Sequence, residues 1–143
     1  MIVLDTNVLY EPMRRDGHQA VAAWLDRQRT ETLYLTTVNI AELLLGVALL
    51  PLGKRRSRLE ARISEVIASF GVRRILGFDE PAARLFAVLV ARARAAGHGI
   101  GVADGQIAAI AGVRGFSVAT RETAPFIAIG IPVIDPWQSG EPG

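Results

Sequence analysis

The chain has 143 residues, 16 of them basic and 14 acidic, which gives a formal net charge of +2, and it contains no cysteine. A chain of this length buries about 70% of its unfolded surface, so it folds as one domain without disulfides or a structural metal. The lack of cysteine excludes a thiolate nucleophile and a thiolate-bound zinc, and it fits a reducing, cytoplasmic compartment.

Membrane insertion and secretion are not predicted. The longest apolar stretch, residues 38–52, is interrupted by Asn39, Glu42 and Gly46. It is also shorter than the roughly 20 residues that span a bilayer, so it predicts a buried helix. The N-terminus has no basic leader followed by a cleavage site, and we expect no secretory signal.

Short apolar segments alternate with helical patterns along the chain, which predicts an α/β fold with a mainly parallel sheet. The predicted strands are residues 2–4, 33–36, 74–78, 116–119 and 133–134. The predicted helices are residues 19–27, 38–50 and 58–70, one that Asp79 caps and Gly97 stops, and one from 103–104 to 111. Residues 1–137 are predicted to form one domain, and the polar residues 138–143 a flexible tail.

Acidic residues occur at or near the carboxyl ends of the predicted strands, where ligands bind in an open parallel sheet. Four of them are candidate site residues: Asp5, Glu42, Asp104 and Glu122. Asp5 follows the first strand directly, although aspartate is a poor strand former and is almost never buried unpaired. A compensating group is therefore expected beside it.

Structural explanations remain open for the other three acids. Asn39 and Glu42 have the spacing of a capping box, which would turn Glu42 back onto its own helix. Asp104 begins a predicted helix, whose positive N-terminus favours a carboxylate. Glu122 taken alone is typical of an exposed loop.

Convergence of the four carboxylates would require compensation. Each pair of like charges about 4 Å apart costs on the order of 4 kcal/mol at an effective dielectric near 20. Such a cluster needs a cation or strongly raised pKa values. Oxygen ligands without His or Cys suit Mg²⁺ or Mn²⁺, and such ions support phosphodiester hydrolysis by water.

These residues resemble the PIN-domain nucleases, and more closely the VapC/FitB-like toxins of type II toxin–antitoxin pairs. The matching stretches are MIVLDTNVLYEP, TTVNIAELLLGV, GVADGQIAAIA, SVATRETAPF and IPVIDPW. Together they cover nearly the whole chain in the expected order. The resemblance implies a three-layer α/β/α sandwich, a metal-dependent endoribonuclease acting on RNA, and a homodimer. It also implies a cognate antitoxin that covers the active site, forms larger assemblies with the toxin and carries any contact with operator DNA.

The resemblance assigns roles residue by residue. Asp5, Glu42 and Asp104 match the three acidic metal-site positions of the family, and Glu122 falls where members commonly carry Asp or Asn. The longer glutamate side chain leaves open whether it binds Mg²⁺ or Mn²⁺ directly or through water. Three neighbours are expected to orient these acids: Thr6, Asn7 and Thr120.

Other readings of the sequence stay open. Arg121 is a candidate phosphate donor or a solvated surface residue. The basic run from Lys54 to Arg62 either guides RNA or is a solvated helix face. An aspartyl-phosphate protein is disfavoured because Lys54 does not follow a strand. A catalytically weak or inactive PIN-like, nucleic-acid-binding partner subunit is the main alternative, because of Glu122.

Overall fold

The computed structural model describes residues 1–138, which form a five-stranded sheet with helices on both faces. The strands are β1 (Ile2–Leu4), β2 (Leu33–Thr36), β3 (Ile75–Leu76), β4 (Ser117–Ala119) and β5 (Val133–Ile134). The helices are α1 (Thr6–Tyr10), α2 (Gln19–Arg27), α3 (Thr37–Ala48), α4 (Lys54–Phe70), α5 (Glu80–Ala95), α6 (Val102–Arg114) and α7 (Thr123–Ala128). Short 3₁₀ helices cover Glu11–Met13, Thr30–Thr32 and Val72–Arg74.

All strand pairs are parallel, in the order β3-β2-β1-β4-β5. Strand β1 is central, and its Ile2 is paired with Leu33 of β2 on one side and with Ser117 of β4 on the other. From β1 the chain adds β2 and then β3 on one side of the sheet. It then returns to the other side of β1 and adds β4 and β5. A crevice therefore opens at the carboxyl ends of β1 and β4, which is where ligands bind in sheets of this kind.

The sheet separates two hydrophobic cores because side chains alternate between its faces. Val3 and Val118 face a core built from α5, α6 and α7. Leu4 and Ala119 face the other core, which is built from the first four helices. The predicted three-layer α/β/α sandwich with a mainly parallel sheet is confirmed.

Two helices, α1 and α7, are absent from the predicted elements. Helix α1 has five residues and α7 has six, too short for an apolar periodicity to be recognised. Helix α1 begins directly after Asp5, whose side chain accepts a hydrogen bond from the Thr6 amide and caps it. Strand β1 thus ends at Leu4 and helix α1 begins at Thr6, with Asp5 as the single residue between them.

Several predicted bounds are corrected. Helix α6 continues through Gly112 to Arg114, and the left-handed residue that ends it is Gly115. Helix α4 begins at Lys54, four residues before the prediction, because only its later turns carry an apolar stripe. Strand β3 is shorter than predicted. Asp79 caps α5 as predicted, accepting a hydrogen bond from the Ala82 amide.

Within residues 1–138, no helix is long and apolar enough to cross a membrane. The predicted flexible tail, residues 138–143, lies outside the described residues apart from Gln138, whose amide donates to the Asp135 carbonyl oxygen.

Candidate active site

Asp5 is held at the crevice between β1 and β4 by hydrogen bonds to both carboxylate oxygens. The Thr120 hydroxyl donates to Oδ2 over 2.8 Å, and the Thr6 amide donates to Oδ1 over 2.8 Å. Asn7 Nδ2 lies 3.5 Å from Oδ2. Asp5 is only 5% exposed, so these donors are the compensation that the sequence requires for a buried carboxylate.

Glu42 reaches the same crevice from α3 and does not cap its own helix. The capping box at the start of α3 is formed by Thr36 and Asn39, so the capping interpretation of Glu42 is wrong. Glu42 Oε1 instead accepts a 2.7 Å hydrogen bond from the Thr6 hydroxyl. Because a Thr-x-x-Asn box already satisfies the first turn, the carboxylate one turn later is free to project away from the helix end.

Asn39 is a site residue that the sequence interpretation missed as such. Its side chain is fully buried, its Oδ1 accepts from the Thr36 amide and hydroxyl, and its Nδ2 donates to the Thr6 hydroxyl over 3.1 Å. Asn39 therefore links the cap of α3 to the residue that contacts Glu42. The sequence signal for this role is Thr36, three residues before Asn39, because the two residues have the spacing of a capping box.

Asp104 lies in the first turn of α6, where the N-cap residue is Gly101. Gly105 follows it at the contact between α5 and α6, and a β-carbon there would lie 2.9 Å from Phe86 Cε2. The helix is thus seated close against α5, with Asp104 at its crevice end. Glu122 precedes α7, and its amide donates to the Thr120 hydroxyl over 3.1 Å.

The four predicted acids line one cleft of about 500 Å³, together with Thr6, Asn7 and an apolar wall from α3 and α4. Burial raises the pKa of the Asp5 carboxyl, and the charges of Glu42 and Glu122 add to this, while the hydrogen bonds from Thr120 and Thr6 oppose it. Burial, followed by the charges of Asp5, Glu122 and Glu42, raises the pKa of Asp104 to about 6. The carboxylates are therefore close enough to disfavour one another's ionised forms.

The donor set fits a hard divalent cation. It consists of carboxylate and hydroxyl oxygens at a site of negative charge, and no His or Cys lines the cleft. Within residues 1–138, no three His, Asp or Glu side chains stand close enough to enclose a metal ion. Magnesium sites commonly use one or two carboxylates, with water and substrate phosphate in the remaining positions, so this spacing suits an open site.

Arg121 lies at the rim of the cleft, and its side chain is stacked on an aromatic ring. Its guanidinium carbon is 5.3 Å from the centre of the Trp137 ring, and its amide donates to Asn7 Oδ1 over 3.4 Å. Arg121 is exposed and is not among the residues that line the acidic cleft. Its predicted phosphate contact stays a prediction.

Lys54 lies outside the acidic cleft and lines a neighbouring one. A phosphoaspartate site places a lysine beside the phosphoryl group, so this position agrees with the sequence-based argument against that class. Asp5, the acid that would be the nucleophile there, is surrounded by carboxylates and neutral donors.

The sheet order and the acidic crevice together define a class of α/β protein, and comparison with known proteins names it. The family model of the PIN domain matches residues 2–131. The chain is 47% identical over 138 residues to a protein named VapC ribonuclease Y4jK from Sinorhizobium fredii, which covers 96% of this chain and 99% of that protein. It is 44% identical over 137 residues to Toxin FitB from Neisseria gonorrhoeae, with 96% and 99% of the two chains covered. This chain belongs to the PIN-domain family.

A solved structure supports the same assignment. The crystal structure of FitAcB from Neisseria gonorrhoeae superposes with a TM-score of 0.91 at 44% identity, and the match covers 96% of this chain and 99% of that chain. The predicted family, a PIN domain similar to VapC and FitB toxins, is confirmed.

Proposed function

We propose that this protein is a metal-dependent endoribonuclease that acts as the toxin of a toxin–antitoxin pair. The observation that carries the proposal is the meeting of four carboxylates from four separate segments in one cleft. The names of its relatives, a VapC ribonuclease and a FitB toxin, support RNA as the substrate and growth inhibition as the outcome.

Asp5, Glu42, Asp104 and Glu122 would hold Mg²⁺ or Mn²⁺ in this function, one or two of them by direct contact and the others through water. When bound, such an ion supplies activated water and stabilises the negative charge that develops on the phosphate and the leaving oxygen. Burial and, after it, repulsion by the neighbouring carboxylates raise the pKa of Asp104 to about 6, and the positive charge of the ion would offset both. Glu122 is exposed at the start of α7, so we assign it a contact with the ion through water.

The chain's own neutral groups orient the acids. Thr120 and the Thr6 amide fix the two oxygens of Asp5, which sets the direction of its remaining lone pairs. The Thr6 hydroxyl, itself held by Asn39, fixes one oxygen of Glu42. Asn7 connects Asp5 with the amide of Arg121, and Arg121 would bind a phosphate at the rim.

The decisive experiment compares RNA cleavage by the wild type with cleavage by Asp5→Asn, in Mn²⁺, in Mg²⁺ and in EDTA. We expect cleavage only by the wild type and only with a divalent cation, whereas Asp26→Asn, the same change on the exposed face of α2, retains full activity. Cleavage by Asp5→Asn at the wild-type rate would refute the assignment. Absence of cleavage by a folded wild type with either ion would favour a catalytically inactive PIN-like partner subunit.

The biological part of the proposal has separate tests. Expression in a bacterium should arrest growth, and Asp5→Ala and Asp104→Ala should each abolish the arrest. Co-expression of a short neighbouring reading frame that encodes a small DNA-binding antitoxin should restore growth. This role places the protein in the cytoplasm as a homodimer, and sedimentation of the purified chain tests the oligomeric state.

A further inference from the structure

A second cleft, of about 980 Å³, lies beside the acidic one and is strongly basic. Among residues 1–138, Asp16 is the one acidic residue that lines it. Its cationic lining residues are Arg14, Arg15, Lys54, Arg55, Arg58 and Arg62. Such a concentration of one charge on a single surface is the electrostatic footprint expected of a polyanion site.

The local fold explains why these cations face one cleft. Arg55, Arg58 and Arg62 are three and four positions apart on α4, so they lie on one side of that helix. Arg62 donates to the Pro12 carbonyl oxygen over 3.1 Å, which joins the helix to the turn after α1. Arg14 follows that turn and is paired with Glu11 at 3.3 Å.

Among the α4 arginines that line the cleft, two are available for a ligand. Arg55 and Arg58 are exposed, and within residues 1–138 neither has a hydrogen-bond or ion-pair partner. Arg56, between them, points elsewhere and donates to the Leu50 carbonyl oxygen. The helix therefore presents unpaired guanidinium groups to the cleft, in the planar form that suits phosphate oxygens.

The two clefts adjoin each other, because Tyr10 and Leu59 line both. One ligand that enters both must satisfy cations in one cleft and carboxylates in the other. A phosphate chain does so when a divalent cation accompanies it at the carboxylates, whereas a protein segment would need acidic residues for the first cleft and basic residues for the second. Grooves that bind single-stranded nucleic acid combine such a basic track with aromatic side chains, and Tyr10 lies at the junction.

We propose that the basic cleft binds the phosphates of the RNA strand on one side of the bond that is cut in the acidic cleft. The inference rests on the proposed function, since it extends the path of the same substrate. Arg55 and Arg58 are its main contacts, and they contribute to substrate binding rather than to the chemical step. Arg14 and Arg62, which already bond to protein groups, form its sides.

The test compares two double variants with the same change in charge. Arg55→Gln/Arg58→Gln removes the two unpaired arginines that α4 presents to the cleft, and Arg92→Gln/Arg94→Gln removes two exposed cations of α5 that line neither cleft. Binding of an RNA of about 12 nucleotides is measured by fluorescence anisotropy in EDTA at several salt concentrations. Circular dichroism confirms that each variant is folded, and glutamine keeps the helix propensity of arginine.

We expect the cleft variant to lose at least tenfold in RNA affinity, and its log–log salt dependence to become shallower by about 1.4, from two contacts at about 0.7 each. The control variant should match the wild type. Equal losses in both variants, or none in either, would overturn the proposal. So would wild-type RNA affinity in the cleft variant together with lost binding of poly-L-glutamate, because that result assigns the cleft to an acidic protein segment.

Cleavage kinetics separate this inference from the proposed function. With Mn²⁺, the cleft variant should show a raised KM and an unchanged kcat on the long RNA, and wild-type kinetics on a dinucleotide that cannot reach the cleft. Efficient cleavage of the long RNA with an unchanged KM would sink the inference and leave the nuclease assignment intact. If the wild type cuts no RNA but the cleft variant still shows the expected loss of RNA binding, the inference stands and the nuclease assignment fails.

Discussion

The hydroxyl of Thr120 donates a 2.8 Å hydrogen bond to Oδ2 of Asp5, a residue 115 positions away in the chain. This bond joins the carboxyl ends of β4 and β1, the two strands that flank the crevice. Both residues are buried, so the bond is made away from competing water. The orientation of Asp5 is consequently set by the parallel pairing of β1 with β4.

Replacement of Thr120 by valine should weaken divalent cation binding and RNA cleavage by about 10- to 100-fold, the usual effect of losing a group that orients a ligand. Valine keeps the shape but leaves Asp5 Oδ2 without its shortest donor, at a cost of about 1–3 kcal/mol in unfolding free energy. Mn²⁺-dependent stabilisation against urea and single-turnover cleavage measure the two effects. Thr120→Ser should restore both; an equal defect in the serine variant would assign Thr120 a packing role only.

Thr6→Val should reduce cleavage by about tenfold, less than Asp5→Asn does, because it releases Glu42 without removing a carboxylate. The variant also leaves Asn39 Nδ2 without its acceptor. Thr6→Ser retains the hydroxyl and should be close to wild type in kcat. The Thr6 idea fails if Thr37→Val, an exposed threonine at the start of the same helix α3, causes the same loss.

Asp104 predicts a pH dependence of stability in metal-free buffer. Its pKa rises from an ordinary 3.8 to about 6, so over that range the native protein keeps a proton that the unfolded chain has released. This stabilisation is complete below pH 3.8 and is lost as the pH rises through about 6. Asp104→Asn should therefore gain stability relative to the wild type between about pH 4 and pH 7, by on the order of 1 kcal/mol after solvent screening.

Urea unfolding in EDTA at several pH values measures this difference, with the same change at the exposed Asp26, Asp26→Asn, as the matched control. Saturating Mn²⁺ should reverse the order, since an ion that binds the native state at 100 times its Kd adds about 2.7 kcal/mol to the wild type alone. A variant that gains nothing from pH 4 to pH 7 would show that neither burial nor the neighbouring carboxylates raise the pKa of Asp104 in the absence of metal.

Glu122 should contribute less to activity than Asp104. It is exposed, and its backbone amide, rather than its carboxylate, makes the hydrogen bond that ties it to Thr120. We expect Glu122→Gln to lower cleavage by about tenfold and to raise the Mn²⁺ concentration needed, whereas Asp104→Asn abolishes cleavage. Comparable, complete losses in both variants would indicate a direct ligand and correct the water-mediated role.

Gly105→Ala should destabilise the fold by about 1–3 kcal/mol, because its β-carbon would lie 2.9 Å from Phe86 Cε2 and 3.0 Å from Val90 Cγ2. The movement of α6 that relieves this close contact would also displace Asp104, the neighbour of Gly105 on that helix. Gly46→Ala is the matched control, since a β-carbon on that helical glycine meets nothing within 4 Å and should stabilise the protein by about 0.5–1 kcal/mol. In thermal unfolding we expect a Tm below that of the wild type for Gly105→Ala and a Tm above it for Gly46→Ala.

The bounds of secondary structure were predictable where turn or polar residues limit an apolar segment. Helix α2 and three of the strands have the predicted bounds, because their pattern is bounded by turn residues. Helices α1 and α7 were missed because five or six residues carry no period, and each is fixed by its position after a strand end. Glu42 shows the same limit at the level of one side chain, since two capping boxes were compatible with the local sequence.

The sequence by itself determined the α/β class and the parallel sheet, because strand periodicity is a local property, and it supplied the four acids as candidates. Only the tertiary structure decided that these acids share one cleft, that Thr120 holds Asp5, and that the Thr6 hydroxyl holds Glu42. It also decided that the arginines of α4 adjoin that cleft. These relations depend on which strands pair and which helices pack, and those contacts join residues that are distant in the chain.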